Sequence, residues 1–178
     1  MSEQRFVFKI MVIGDPSVGK TSLIKRYVEN AFSEEYITTL GVDFLKKDVI
    51  IDKTTVSLVI WDVAGQSKFA TFKKVYYAGA RFIIVVFDIT NKRTYQNIEF
   101  WLRDAQIILG DDINFAIFGN KADLVDERQI SNYDAYKKYD TLFDIVETSA
   151  KTGKNVHDIF TRIGSYLLHT HKKEQKRE

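Results

Sequence analysis

Residues 14–21 read GDPSVGKT, directly after an apolar, β-branched run (6–13) and directly before a stretch (20–29) in which Leu23, Ile24, Tyr27 and Val28 recur at helical spacing. A buried strand, a glycine-rich loop and a helix in that order leave few ways to fold. A strand covered on both faces needs parallel neighbours, and parallel neighbours need helical crossovers. The loop fits G-x-x-x-x-G-K-[ST] at Gly14, Gly19, Lys20 and Thr21. In this strand–loop–helix setting its amides and the positive end of the helix form a phosphate cradle.

The rest of the chain keeps the same alternation. Segments 42–51 and 54–61 flank the turn-like DKTT and read as a hairpin; 82–88 and 115–119 read as buried strands. Ile98, Trp101, Leu102, Ala105 and Leu109 mark a helix with Gly110 at its C-cap, and a polar helix is expected near 131–139. The strand LFDIVET and a last helix bearing Val156, Ile159, Phe160, Ile163 and Leu167 follow. The pattern is that of a doubly wound α/β sheet, with ligands at the carboxyl ends of the strands. At 178 residues one domain is expected over 1–170, with 171–178 as a basic, flexible tail, either merely solvated or weakly drawn to anionic membrane.

Composition excludes several functions. Lys and Arg number 26 against 24 Asp and Glu, so no strong field favours nucleic acid. With no cysteine, the chain carries no disulfide, thiolate zinc site, thiol nucleophile or lipidated thiol, and the expectation is a cytoplasmic protein without a lipid anchor in this chain.

Three further loops carry chemistry. NKAD ends the strand before it, and Asp123 can accept two hydrogen bonds from the N1–H and 2-amino group of guanine, a donor pair adenine lacks. Asn120 can brace the loop and reach the base, while the Lys121 stem covers its face; alone, the tetrapeptide also suits an ordinary turn. In WDVAGQ, Asp62 can hold Mg²⁺ through water, the Gly65 N–H can approach a γ-phosphate, and Gln66 can orient an attacking water. TSAK, with Ser149, Ala150 and Lys151, can set the Ala150 N–H on the guanine carbonyl. In the first loop the cradle amides fall on Ser17, Val18, Gly19, Lys20 and Thr21, with Ser22 following. Lys20 reaches the β/γ oxygens and the Thr21 hydroxyl ligates Mg²⁺. The chain's only proline, Pro16, then occupies the outer bend, where a missing N–H costs nothing.

Taken in order, GDPSVGKT, the threonines of TTLGVDF, WDVAGQ, NKAD and TSAK resemble the five nucleotide motifs of the small GTPases over nearly the whole chain. GVDF, Trp61 before Asp62, and YYAGA are similar to the Rab branch. The resemblance implies a P-loop G domain: a six-stranded, mostly parallel sheet with one antiparallel strand, flanked by about five helices. It implies GTP or GDP bound with Mg²⁺, and switch segments near 33–44 and 63–79. Phe32 is then expected at the guanine edge and Tyr36 over the phosphates, with Thr39 on Mg²⁺ and the γ-phosphate. Phe44, Trp61 and Tyr76 match the aromatic triad with which Rab proteins meet effectors, though three aromatics beside a hairpin also suit plain core.

The departures are Ser67 for the usual glutamate after the glutamine, Ala78 for the usual arginine, and the basic pair Lys73 and Lys74. The first puts ordinary factor-driven exchange in question. Without a prenylatable cysteine, either the chain is truncated before a lipidation site or it never anchors by a lipid. Membrane association then falls to partners, tail electrostatics or a segment absent here. The reading is a monomeric switch that binds GTP, hydrolyses it slowly through Gln66 and Lys20, and engages effectors in the GTP state, in Rab-like vesicle traffic or related regulation. With no arginine placed in the loops as a finger, a GTPase-activating protein is expected alongside an exchange factor. The alternatives are a GTP-loaded scaffold with negligible turnover and, behind it, a P-loop nucleotide kinase.

Overall fold

A computed structural model describes residues 5–33, 41–63, 73–131, 143 and 145–176. Its strands are β1 (Arg5–Ile13), β2 (Val42–Ile51), β3 (Thr54–Val63), β4 (Ala80–Asp88), β5 (Phe115–Asn120) and β6 (Val146–Glu147). Its helices are α1 (Lys20–Glu29), α2 (Lys73–Tyr77), α3 (Lys92–Gln96), α4 (Ile98–Leu109) and α5 (Val156–Gln175), with a 3₁₀ turn at Val125–Glu127. The strands form one sheet in the order β2-β3-β1-β4-β5-β6. Only the β2–β3 pairing is antiparallel, as the resemblance implied.

The two-residue side-chain period builds two cores from the same strands. Ile10 and Val12 of β1 and Phe82, Ile84 and Val86 of β4 join one cluster with Leu23, Tyr27 and Phe160 of α1 and α5. Met11, Ile13, Ile83, Val85 and Phe87 join the other, with Ile98, Trp101 and Leu102 of α4. Tyr27 and Phe160 stack at 4.3 Å between centroids and join α1 to α5. The central strands are mostly apolar because most of their side chains, whichever way they point, meet a helix layer. Edge strand β2 is different: Leu45 and Val49 pack inward while Lys46, Asp48 and Ile50 face out.

The turn DKTT closes on two residues, Asp52 and Lys53, both in the left-handed region (φ 49° and 62°), the twist a tight hairpin needs. Gly110 caps α4, as read from the sequence, with its N–H on the Gln106 carbonyl at 2.8 Å. The last helix runs to Gln175, well into the stretch read as a flexible tail, because the β1–β3 corner gives it something to pack on. The His171 ring stands edge-on to Phe6 and Phe8, Lys172 reaches Thr54, and Glu174 pairs with Arg81 at 2.7 Å. The polar helix expected near 131–139 lies outside the described residues apart from Ser131.

Candidate functional site

The ends of β1, β5 and β6 bring GDPSVGKT, NKAD and TSAK together, and the end of β3 adds Asp62 of WDVAGQ. Gly14 closes β1 at φ 141°, and a Cβ there would sit 2.3 Å from the Val86 carbonyl oxygen, so only glycine lets the loop leave the sheet along β4. Pro16 and Ser17 form the exposed bend, and Ser17 takes the left-handed conformation (φ 65°). Gly19 is left-handed too (φ 93°) and directly precedes α1. A Cβ on Gly19 would lie 2.4 Å from Asn120 Nδ2, so the close approach of NKAD to this loop also requires glycine.

Lys20 is buried and curls back over its own loop, donating from Nζ to the carbonyls of Gly14 (2.9 Å) and Asp15 (2.8 Å). Burial pushes its ammonium down to about 8, against the opposing pull of the Asp62 and Asp15 carboxylates. At the next residue, the Thr21 hydroxyl donates to Asp62 Oδ2. Asp62 is buried at the end of β3, in register with Val12 of β1. Ser22 is half-buried in the first turn of α1. A desolvated cation, a glycine cradle that a Cβ would fill, and a hydroxyl beside a buried carboxylate fit a polyphosphate with a hard, oxygen-seeking dication.

The second half of the site is tied to the first by a single side chain. Asn120, 1% exposed, donates from Nδ2 to the Val18 carbonyl at 2.8 Å, and its Oδ1 accepts from the Ala150 N–H (3.3 Å) and the Thr148 hydroxyl (3.4 Å). Asp123 accepts from Ser149 Oγ at 2.6 Å. Lys121, left-handed at φ 66°, is held by Asp88, 2.6 Å from Nζ to Oδ2. Lys151 is exposed at the turn that follows. Phe32 is half-exposed beyond α1, its ring centroid 5.9 Å from the Arg26 guanidinium carbon. Tyr36, Thr39, Gly65 and Gln66, and with them Ser67, lie outside the described residues.

The aromatic triad is only partly core. Phe44 is 61% exposed and stacks on Trp61 at 5.6 Å, while Trp61 and Tyr76 pack against the α4-side core. Lys9 joins them: its Nζ sits 3.8 Å over the Trp61 ring and donates to the Tyr76 and Ala78 carbonyls. Lys73 is not a free surface charge on the second switch, since both Asp104 oxygens hold its Nζ at 2.9 Å.

Sequence reasoning missed three residues that position the loops. The Asp15 side chain points away from the phosphate cradle and is gripped by Asn97 Nδ2 (2.7 Å) and Trp101 Nε1 (2.8 Å) at the start of α4. Asp88 holds Lys121, and Arg26 spans from α1 to TSAK. Asp15 sits inside GDPSVGKT at a position the motif leaves open, and Asp88 and Arg26 belong to no motif.

Against known proteins, the family model described as Ras family matches residues 9–169. The chain is 44% identical to the Ras-related protein Rab-1 of Theileria annulata over 169 residues, which cover 94% of this chain and 77% of that protein. It is 40% identical to human Ras-related protein Rab-8B over 164 residues, covering 92% and 79% respectively.

Proposed function

The chain belongs to the Ras family as a Rab-like small GTPase, and from that membership we propose the part each loop residue plays. The protein is a guanine-nucleotide switch that binds GTP and GDP with Mg²⁺ and hydrolyses GTP to GDP and phosphate; effectors and regulators are its kinds of partner.

In the proposed assignment the amides of Ser17, Val18, Gly19, Lys20, Thr21 and Ser22 receive the phosphates. Lys20 exchanges its two backbone carbonyl partners for phosphate oxygens, which relieves a buried cation and offsets charge developing on the transferred group. Thr21, Thr39 and Asp62 would hold the Mg²⁺, which when bound neutralises charge on the β- and γ-oxygens. Gln66 orients the water that adds to the γ-phosphorus as the bond to the bridging oxygen breaks, leaving GDP and phosphate. Gly65 and Tyr36 meet the γ-phosphate side. Asp123 reads N1–H and the 2-amino group, Ala150 the 6-carbonyl, and Lys121 and Phe32 flank the base, with Ser149 and Lys151 shaping the turn beside it.

The observation that carries this reading is Asn120, whose two ends bond to the phosphate loop and to TSAK at once. One nucleotide lying across both loops is what that tie prepares for. Phe44, Trp61 and Tyr76 are proposed as the effector face, since a 61% exposed phenylalanine stacked on tryptophan is costly to leave in water. We place the protein in Rab-like vesicle traffic, acting as a monomer. Among the described residues no helix is long and apolar enough to cross a membrane. Multiple-turnover phosphate release with GTP and with ATP tests the function. Release from GTP alone is expected. Release from both would favour a different P-loop enzyme, and release from neither a scaffold.

A further inference from the structure

We infer that Arg26 is the positioning residue for recognition of the 6-carbonyl of guanine, an inference that rests on the placement of Ala150 proposed above. Arg26 lies on α1, the helix that begins at the phosphate loop, and all three nitrogens of its planar fork donate. Nε donates to the Ala150 carbonyl at 2.6 Å and Nη2 to the Lys151 carbonyl at 2.7 Å. Nη1 donates to the Asn30 carbonyl at 3.2 Å and the Asn30 side-chain oxygen at 3.4 Å.

These are charge-assisted bonds to two consecutive carbonyls, and together they fix the plane of the turn. The turn is otherwise closed largely on itself. Ser149 Oγ accepts from Thr152 N–H at 3.0 Å, and the Ser149 carbonyl accepts from Gly153 N–H at 2.8 Å. Those bonds keep its shape but not its aim. The aim comes from outside, through Arg26 on one side and Asn120 and Asp123 on the other.

The Ala150 N–H is the donor assigned above to the base, and its bond to Asn120 Oδ1 is long at 3.3 Å. A base carbonyl can share or take that proton only if the following peptides stay where Arg26 holds them. Asp123 meets the turn through the Ser149 hydroxyl, on the side away from the Arg26 fork, so loss of Arg26 should blunt reading of the 6-carbonyl more than reading of the 2-amino group. Lysine cannot replace it: a single ammonium lacks the fixed geometry that spans two carbonyls while also holding Asn30.

The test measures the affinities of GDP, 6-thio-GDP and IDP, with Mg²⁺, for wild type, Arg26→Ala and Arg26→Lys. Sulfur at position 6 weakens the acceptor that Ala150 meets, and IDP lacks the 2-amino group that Asp123 meets. Wild type should discriminate against both analogues. Arg26→Ala should lower GDP affinity by about tenfold or more, bring the 6-thio penalty close to one, and change the IDP penalty less. Arg26→Lys should show an intermediate 6-thio penalty, and it carries the test if the alanine variant does not fold. Equal losses for all three nucleotides would reduce Arg26 to a structural residue and overturn the inference, as would an unchanged GDP affinity. A wild type that discriminates against IDP but not against 6-thio-GDP would remove Ala150 from the base. A wild type that ignores both would refute the guanine site beneath the inference.

Discussion

Asn120→Ala should damage nucleotide binding more than folding, although no phosphate contact is removed. The substitution strips the donor from a buried carbonyl, Val18 O, which now accepts at 2.8 Å from a side chain 1% exposed. An orphaned buried carbonyl costs about 1–3 kcal/mol. The two longer bonds at Oδ1, from Ala150 N–H and the Thr148 hydroxyl, add roughly 1 kcal/mol between them. In the nucleotide-free variant the two loops can part and admit water to Val18 O, which recovers much of this loss. A nucleotide spanning both loops draws them together again and restores the penalty. The cost should therefore appear mainly as weaker binding, about 2–4 kcal/mol or roughly 30- to 700-fold in GDP affinity. Stopped-flow dissociation of a fluorescent GDP analogue, beside urea denaturation of the nucleotide-free proteins, separates the two. If stability falls by the whole amount while GDP affinity stays within about threefold, the reasoning is refuted and the tie is merely structural.

Gly14→Ala should fail to fold or lose more than about 3 kcal/mol in urea, because the new Cβ meets the Val86 carbonyl oxygen at 2.3 Å on a rigid central strand. Trp101→Phe should cost about 1–2 kcal/mol more in the wild-type background than in Asp15→Ala, the difference being the Nε1 bond and the remainder lost packing; additive losses would mean the bond carries no coupling. Gln66→Leu should slow single-turnover GTP hydrolysis and leave GTP affinity nearly unchanged, and a wild-type rate would remove Gln66 from the reaction. Pro16→Ala should shift nucleotide affinity by no more than about 1 kcal/mol; a tenfold tightening would mean that the amide missing at residue 16 matters.

The layered fold was legible because both of its periodicities are in the residues. Phe82–Asp88 of β4 is apolar on both faces, and Ile98, Trp101, Leu102 and Ala105 mark one side of α4. The glycine-rich loop was legible for a steric reason, as Gly14 and Gly19 stand where a Cβ would strike Val86 and Asn120. What was illegible depends on contacts distant in sequence. The bond from Asn120 to Val18 joins residues 102 apart, and that from Arg26 to Ala150 joins residues 124 apart. From sequence, Arg26 is simply a basic residue in the last turn of α1, favourable to the helix dipole and needing no other partner. Asp15 looks like an ordinary loop carboxylate until α4 arrives with Asn97 and Trp101. The course of α5 through Gln175 was not legible because a run of lysines and glutamates carries no sign that one ring within it, His171, finds Phe6 and Phe8.

The central claim is that Asp123, held by Ser149 and set beside the Asn120 tie, makes the site specific for guanine nucleotides. Titrating wild type and Asp123→Asn with GDP and XDP in the presence of Mg²⁺ tests it most directly. The substitution keeps the shape but turns one acceptor oxygen into a donor, which mismatches the N1–H and 2-amino pair of guanine and matches the 2-carbonyl of xanthine. GDP affinity should fall by several kcal/mol, about a thousandfold, while XDP affinity rises. An Asp123→Asn protein that binds GDP as tightly as wild type would contradict the account.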